Sequence, residues 1–192
     1  MKIIGLSPNN ARAIQQAAAL LIACFKHVTP HPWPDMATAL EEVHESFGDE
    51  RISRVAIDDD GEALGWIGGQ PHYDGHVWEL HPLVVKPEQQ GRGIGSALVR
   101  DFEMRVRERG GLTIWLGTDD EDSRTTLSGV NLYPNPLEHL SNIRNLRRHP
   151  YEFYQKLGFV ITGVMPDANG RGRPDIFMAK RVGERRGLGV RG

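Results

Sequence analysis

Apolar runs of strand and helix period, in the order β-α-α-β-β-β-α-β-α-β-β, predict an α/β domain (α+β in its mixed sheet). Three observations carry that expectation. Three strand-like runs follow one another between residues 51 and 85, as in antiparallel hairpins. A Gly-rich turn then joins the last of them to the longest helix. Two further strand-like runs close the pattern after an unusually long connection. A length of 192 residues suits one domain with its own core. We expect a single domain over residues 1–182 and a patternless, disordered tail over 183–192.

Lys2 to Leu6 reads as a first strand, and Asn9 and Asn10 are cap-type residues ahead of a helix from Ala11 to Phe25. Thr29 to Pro34, with three prolines, is a loop. Ala37 to Phe47 carries Leu40, Val43 and Phe47 on one helical face. Arg51 to Asp58 and Ala63 to Gln70 form a hairpin about the turn Asp58-Asp-Asp-Gly61. Val77 to Val85 is a longer strand interrupted at His81-Pro82, where the missing ladder donor predicts a bulge or splay. Lys86 to Gly95 is the Gly-rich turn. Ile94 to Arg109 is a helix with Ile94, Leu98, Phe102 and Val106 on one stripe, stopped by Gly110-Gly111. Leu112 to Leu116 is a strand, and Pro136 to Leu146 a short helix within the long connection. Tyr151 to Leu157 is a helix closed by Gly158, and Phe159–Val164 and Ile176–Lys180 are the final strands.

Net charge −2 and a pI near 6.4 leave no basic face for nucleic acid. Cys24, the single cysteine, excludes an internal disulfide and reads as a packed structural thiol; no side-chain set has metal-ligand spacing, so no metal is expected. No basic, apolar leader and no membrane-length apolar run is seen, and the expected location is cytoplasmic.

The turn Gln90-Gly-Arg-Gly-Ile-Gly-Ser96 leads from strand to helix. Free N–H groups and the positive end of the helix, with glycines that admit close approach, make a cradle for an anion. A Walker P-loop would need Gly-Lys-Ser/Thr, which is missing. A dinucleotide fingerprint would need a different glycine spacing. What remains is Gln-x-x-Gly-x-Gly, on Gln90, Gly93 and Gly95, or a plain glycine turn. With Leu83-Val-Val-Lys-Pro87 before it and Ser96-Ala-Leu-Val99 after it, the segment resembles the acetyl-CoA pyrophosphate loop of the GNAT acetyltransferases.

The resemblance narrows further along the chain. Trp78-Glu-Leu-His-Pro-Leu-Val-Val85, Trp115-Leu-Gly-Thr-Asp-Asp-Glu121, Arg148 to Phe159 and Pro174 to Lys180 look like the aminoglycoside 6'-N-acetyltransferases of the chromosomal type, which carry a long insertion before the last helix. It spans about Lys2 to Val182. It implies a GNAT fold, a mostly antiparallel sheet with splayed central strands flanked by helices. It also implies acetyl-CoA as cosubstrate, an aminoglycoside or other polyamine as acceptor, and a homodimer.

Acetyl transfer to an amine requires a proton acceptor, a donor for the thioester oxygen, a proton for the leaving sulfur and an aligned cofactor. Glu79 and His81 alternate about Leu80 and so share a face. The resemblance puts both at the acceptor amine; otherwise they are a solvated carboxylate and a packed bulge residue. The Leu83 backbone N–H is the candidate oxyanion donor. Leu83, Val84 and Val85 would pair with the pantetheine arm, and Gln90, Gly91, Arg92, Gly93, Ile94, Gly95 and Ser96 would hold the pyrophosphate. By the resemblance, Tyr154 serves the cofactor sulfur; the competing reading is a core aromatic beside Phe153 and Leu157. Many GNAT members carry a cofactor-contacting asparagine earlier in this segment, where this chain has Arg147, with Asn145 nearby. Asp119-Asp-Glu-Asp122 is either a solvated acidic turn or a surface for a polycation. Asp119 and Asp120 are the first candidates for substrate contact, followed by Asp175, Glu138, Trp33 and Tyr73.

Three functions compete: an aminoglycoside 6'-N-acetyltransferase conferring resistance, a GNAT acetyltransferase of another polyamine or peptide amine, and a non-catalytic acyl-CoA-binding sensor. The set Glu79, His81 and Tyr154 speaks against the sensor.

Overall fold

The structure, a computed structural model, describes residues 1–26 and 32–183. The expected loop at Thr29 to His31 and the expected disorder of 184–192 lie outside these residues. Seven strands form one sheet in the order β1-β2-β3-β4-β5-β7-β6: β1 (Lys2–Gly5), β2 (Ile52–Ile57), β3 (Ala63–His72), β4 (Val77–Val85), β5 (Thr113–Asp119), β6 (Val160–Met165) and β7 (Asp175–Arg181). Every neighbouring pair is antiparallel except β4 and β5. The helices are α1 (Ala11–Phe25), α2 (Met36–Glu45), α3 (Ile94–Glu108), α4 (Pro136–Ser141) and α5 (Tyr151–Lys156). Among the described residues no helix is long and apolar enough to cross a membrane.

Local chemistry sets the boundaries. Asn10 caps α1 by accepting from the Ala13 N–H, and Asp35 caps α2 by accepting from Thr38. In the β2–β3 hairpin Asp58 Oδ1 accepts from the backbone of Asp60 and Glu62. The two helical faces of the sheet carry separate cores. Ala17, Ala18 and Leu21 of α1 and Ala39 and Val43 of α2 pack on Val55, Trp66 and Val84. Leu98, Phe102 and Val106 of α3 pack, across the sheet, on Ile67, Leu80, Ile114 and Met178, together with Tyr154 of α5.

Three expectations shift. Both β3 and β5 run past their expected ends at Gln70 and Leu116, to His72 and Asp119. The helix in the long connection stops at Ser141 rather than Leu146; Leu137 and Leu146 are exposed, and only Leu140 and Ile143 pack on the core. The connection itself is well anchored: Leu127 and Leu132 are buried, Thr125 bridges Asn145, and the Gly129 N–H donates to Gly172 O at 2.8 Å.

Candidate active site

At His81-Pro82, β4 holds one residue more than β3 between the pairs Gly69↔Leu80 and Ile67↔Leu83. This bulge exchanges the faces of the strand. Trp78 and Leu80 lie in the α3-side core before it, whereas Val84 joins the α1-side core after it, with Leu83 and Val85 turned to α3. Before the bulge the expected alternation holds, so Glu79 and His81 face away from Leu80.

The splay expected from Pro82 is realised between β4 and β5. These parallel strands pair only through Val77↔Thr113, Trp78↔Ile114 and Glu79↔Trp115. Beyond Glu79 they part, and among the described residues Leu80–Val85 has no strand partner on that side. The chain then turns through Pro87–Gln89 into α3, whose N-cap is Gly93 with φ +84° and no side-chain cap. A glycine suits that left-handed conformation. Apart from its two chain neighbours, a Cβ there would meet no atom of the described residues within 4 Å, so these leave the ground before the first N–H groups of α3 clear. Gln90 reaches back to Val85 O at 3.1 Å and fixes the turn against β4. The first N–H groups of α3 and the clear ground before Gly93 fit a pyrophosphate, and the parted strands fit an extended arm.

Cys24 also donates to Val85 O, at 3.3 Å, and burial pushes its thiol up to about 11, as a packed, unreactive thiol requires. Tyr154 is buried on α5 between Phe153 and Phe159, ring centroids at 5.0 and 5.6 Å. Burial pushes its phenol well above the usual tyrosine value, which keeps the proton on the hydroxyl.

On the face away from α3, strand register gathers a set of carboxylates. Glu79 is level with Trp115 on β5; Trp115, Gly117 and Asp119 alternate along it; and Gly117 and Asp119 pair with Phe177 and Asp175 of β7. Glu79, Asp119 and Asp175 therefore share one face, floored by Trp115 and Phe177, whose rings meet edge to face at 5.9 Å. Gly117 is required here by close approach: a Cβ would fall 2.4 Å from Asp175 Oδ2. The carboxyl of Asp175 lies across that glycine with Oδ1 buried and unpartnered. Burial first, then the charges of Asp119 and Glu79, push Asp175 up to about 7, against backbone bonds from Thr118 and Ile176. Glu121, the next residue but one after Asp119, is likewise pushed upward by burial and then by Asp119.

His81 is exposed at the rim, its Nε2 3.8 Å from Glu42 Oε1 on α2 and its ring 6.1 Å from Trp33. Trp33 is half-buried rather than an open platform, because Phe25 packs edge-on to it at 4.9 Å. Tyr73 stands exposed in the β3–β4 turn.

One expected substrate contact is corrected. Asp120 is fully buried, and its carboxylate accepts from Arg124 N at 2.6 Å, Thr125 N at 2.9 Å and Thr125 Oγ1 at 2.7 Å. It fastens the start of the long connection and has no free face for a substrate. Glu138 lies on α4 and lines a surface cavity of about 270 Å³ with His139, Asn142, Arg144 and Thr126. Asn145 is equally committed: its amide accepts from His149 N at 2.8 Å and donates to His149 O at 2.9 Å.

Sequence reasoning passed over two histidines. His149 is buried; its Nδ1 accepts from Tyr151 N, so Nε2–H donates to Asp119 O at 3.0 Å. Burial holds its ring neutral by lowering its pKa, and it ties the entry of α5 to the end of β5. His72 meets Glu79 directly, with Nε2 3.0 Å from Glu79 Oε2. The strand parity of β3 could have revealed it, had that strand been read two residues longer.

A sheet parted between two parallel strands, with an uncapped helix start at the mouth of the gap, defines an acetyltransferase of the GNAT fold. The acetyltransferase (GNAT) family profile matches residues 15–127, and the chain belongs to that family. More particularly, it is similar over nearly its whole length to aminoglycoside 6'-N-acetyltransferases. One, solved in complex with coenzyme A, is 44% identical with TM-score 0.87, over 95% of this chain and 97% of that one. The enzyme from Enterococcus faecium is 44% identical with TM-score 0.85 over the same shares, 95% and 97%. An aminoglycoside 6'-acetyltransferase type Ii is 38% identical with TM-score 0.73, again over 95% and 97%. Among curated proteins no relative matches the chain.

Proposed function

We propose that this chain is an acetyl-CoA-dependent aminoglycoside 6'-N-acetyltransferase, with residues 1–182 as its catalytic domain. The observation that carries the reading is the position of Glu79. It sits where β4 and β5 part, with the acidic side chains of Asp119 and Asp175 on its own face. Similarity to enzymes that bear this name supports the choice of acceptor.

When bound, acetyl-CoA supplies an activated acetyl thioester. Glu79 takes the proton of the acceptor ammonium, directly or through water, and His81 anchors the acceptor at the rim. The backbone N–H of Leu83, on the edge left open by the splay, donates to the thioester oxygen. Tyr154, kept protonated by burial, offers its hydrogen to the leaving sulfur. Leu83, Val84 and Val85 lie along the arm of the cofactor. The turn from Gln90 to Ser96, with Gly91, Arg92, Gly93, Ile94 and Gly95 between, holds its pyrophosphate. Asp119 and Asp175 pair with further ammonium groups of the acceptor, with Trp33 and Tyr73 at the margin.

Acetylation removes one positive charge from the drug, which would confer resistance. We place the reaction in the cytoplasm, where acetyl-CoA is available. We also propose a homodimer, supported by the exposed apolar side chains of Val160 and Met165 on edge strand β6 and Leu137 on α4. Light scattering gives the mass directly.

The acidic face also suits a linear polyamine, so the acceptor decides the test. Thiol release is followed with purified protein, acetyl-CoA and kanamycin, beside an analogue with hydroxyl at the 6' position. Release with the amine alone is expected. Release with neither, while acetyl-CoA still binds, overturns the aminoglycoside reading and directs the search to polyamines and peptide amines.

A further inference from the structure

We propose that His72 and Gln70 form a clamp on one oxygen of Glu79, and that this clamp turns the other oxygen toward the acceptor amine. The proposal rests on Glu79 serving the amine, and it assigns His72 and Gln70 as positioning residues. Gln70 stands opposite Glu79 in the β3–β4 ladder and donates from Nε2 to Glu79 Oε2 at 2.9 Å. His72, two residues on along the same face, places Nε2 3.0 Å from the same oxygen. Both bonds fall on Oε2, so among the described residues Oε1 is left to the substrate. An ionised carboxylate only accepts, so the hydrogen of the second bond lies on His72 Nε2.

The clamp is itself held. The His72 ring packs edge to face on Trp115 with centroids 6.1 Å apart, and Trp115 is level with Glu79 on the strand beyond it. The glutamate is thus bracketed from β3 by its two donors and from β5 by the indole against which one donor rests. A glutamate side chain has three rotatable bonds, and an unheld carboxylate at the mouth of an open cleft would spread over many rotamers. Proton transfer needs the accepting oxygen within hydrogen-bond reach of the amine, so fixing the rotamer beforehand lowers the barrier without any contact between His72 and substrate. The imidazole side chain is 38% exposed, which leaves it open to substitution without uncovering a core.

The test uses His72→Phe, which keeps a ring against Trp115 and removes the donor, and His72→Gln, which returns an N–H. With kanamycin and acetyl-CoA, His72→Phe is expected to lower kcat/KM for the amine about ten- to a hundredfold, the worth of a hydrogen bond to a charged group. The KM for acetyl-CoA stays within about twofold on the same principle, since no cofactor contact is touched. His72→Gln recovers most of the loss. Equal rates in His72→Phe and wild type overturn the clamp; so does a Gln variant as impaired as the Phe variant, or a parallel rise in the acetyl-CoA KM. A second measurement does not depend on the acceptor. In protein labelled with carboxyl-13C glutamate, the Glu79 resonance is identified by its loss in Glu79→Gln. It should move in His72→Phe and return in His72→Gln. A resonance that stays put overturns the clamp, whereas a wild-type enzyme idle on kanamycin with the resonance shifted overturns only the choice of acceptor.

Discussion

The two sides of β4 are built on opposite plans. On the side proposed for the cofactor, from Leu83 to Ser96, the groups on offer are backbone: a strand edge unpaired among the described residues, a left-handed glycine and the first N–H groups of a helix. They occupy one short stretch of chain. On the side proposed for the acceptor they are side chains, drawn from β3, β4, β5 and β7, with more than a hundred residues between His72 and Asp175. A backbone site requires particular glycines in a particular local order, and tolerates variety elsewhere. A side-chain site requires strand register, and nothing in any one segment announces it. Substitutions on the cofactor side should therefore act through conformation and be close to all-or-none. Those on the acceptor side should be graded, selective for the amine and sensitive to pH.

The largest expected effect is Gly93→Val. A β-branched residue at φ +84° is strained, and its side chain would enter the ground before the α3 N-terminus that the described residues leave clear. Acetyl-CoA binding, measured by calorimetry, should vanish while circular dichroism shows the fold retained. Binding within tenfold of wild type would mean that the cradle lies elsewhere.

Glu79→Gln comes next. The isosteric amide cannot accept the proton, and turnover should fall about 10²- to 10⁴-fold, the usual worth of a general base. Cofactor affinity should be kept, which separates the two sides of β4. Tyr154→Phe should lower kcat about ten- to a hundredfold, the worth of a hydrogen bond to the charge developing on sulfur, again with acetyl-CoA affinity retained, because only the hydroxyl is removed from a packed ring. Unchanged rates would reduce Tyr154 to the core aromatic that its neighbours Phe153 and Phe159 also suggest.

The same contrast explains what could be read from sequence. The Gly-rich turn, its helix and the break at His81-Pro82 were legible because each depends on residues within a few positions. So was Glu79 with His81, since alternation over three residues needs no register. The acidic pair Asp119-Asp120 was misread as one surface. With β5 ended at Leu116 the two acids look alike. With β5 carried to Asp119, parity sends Asp119 to the face of Glu79 and Asp120 into the buried anchor of the long connection. His72 was lost for the same reason, as the last residue of a strand expected to stop at Gln70. Glu138 could not be placed at all from sequence, because only the packing of Leu127 and Leu132 fixes where the connection runs.

The gentlest test of the acceptor side is Asp175→Asn, and pH gives it direction. The folded protein raises Asp175 from the ordinary carboxyl value of 3.8 to about 7, mainly by burial and then by Asp119. Between those values the native state holds a proton that the unfolded chain has released. Stability is therefore lost as pH climbs through that window, and stays lost above it. The neutral amide of the variant carries no such penalty. The variant should melt at the same temperature as wild type near pH 4 and gain above pH 7, by on the order of 1 kcal/mol once partial exposure is discounted. Substrate reverses the preference. A polycation pairs only with the ionised form, so binding below pH 7 must expel the proton. The wild-type KM for the acceptor should then worsen toward acid more steeply than that of the variant. Above pH 7 the variant should bind the acceptor about tenfold more weakly, having lost a charged partner. A variant both more stable and equally tight at pH 8 would mean that Asp175, though it shares the face of Glu79, takes no part in holding the amine.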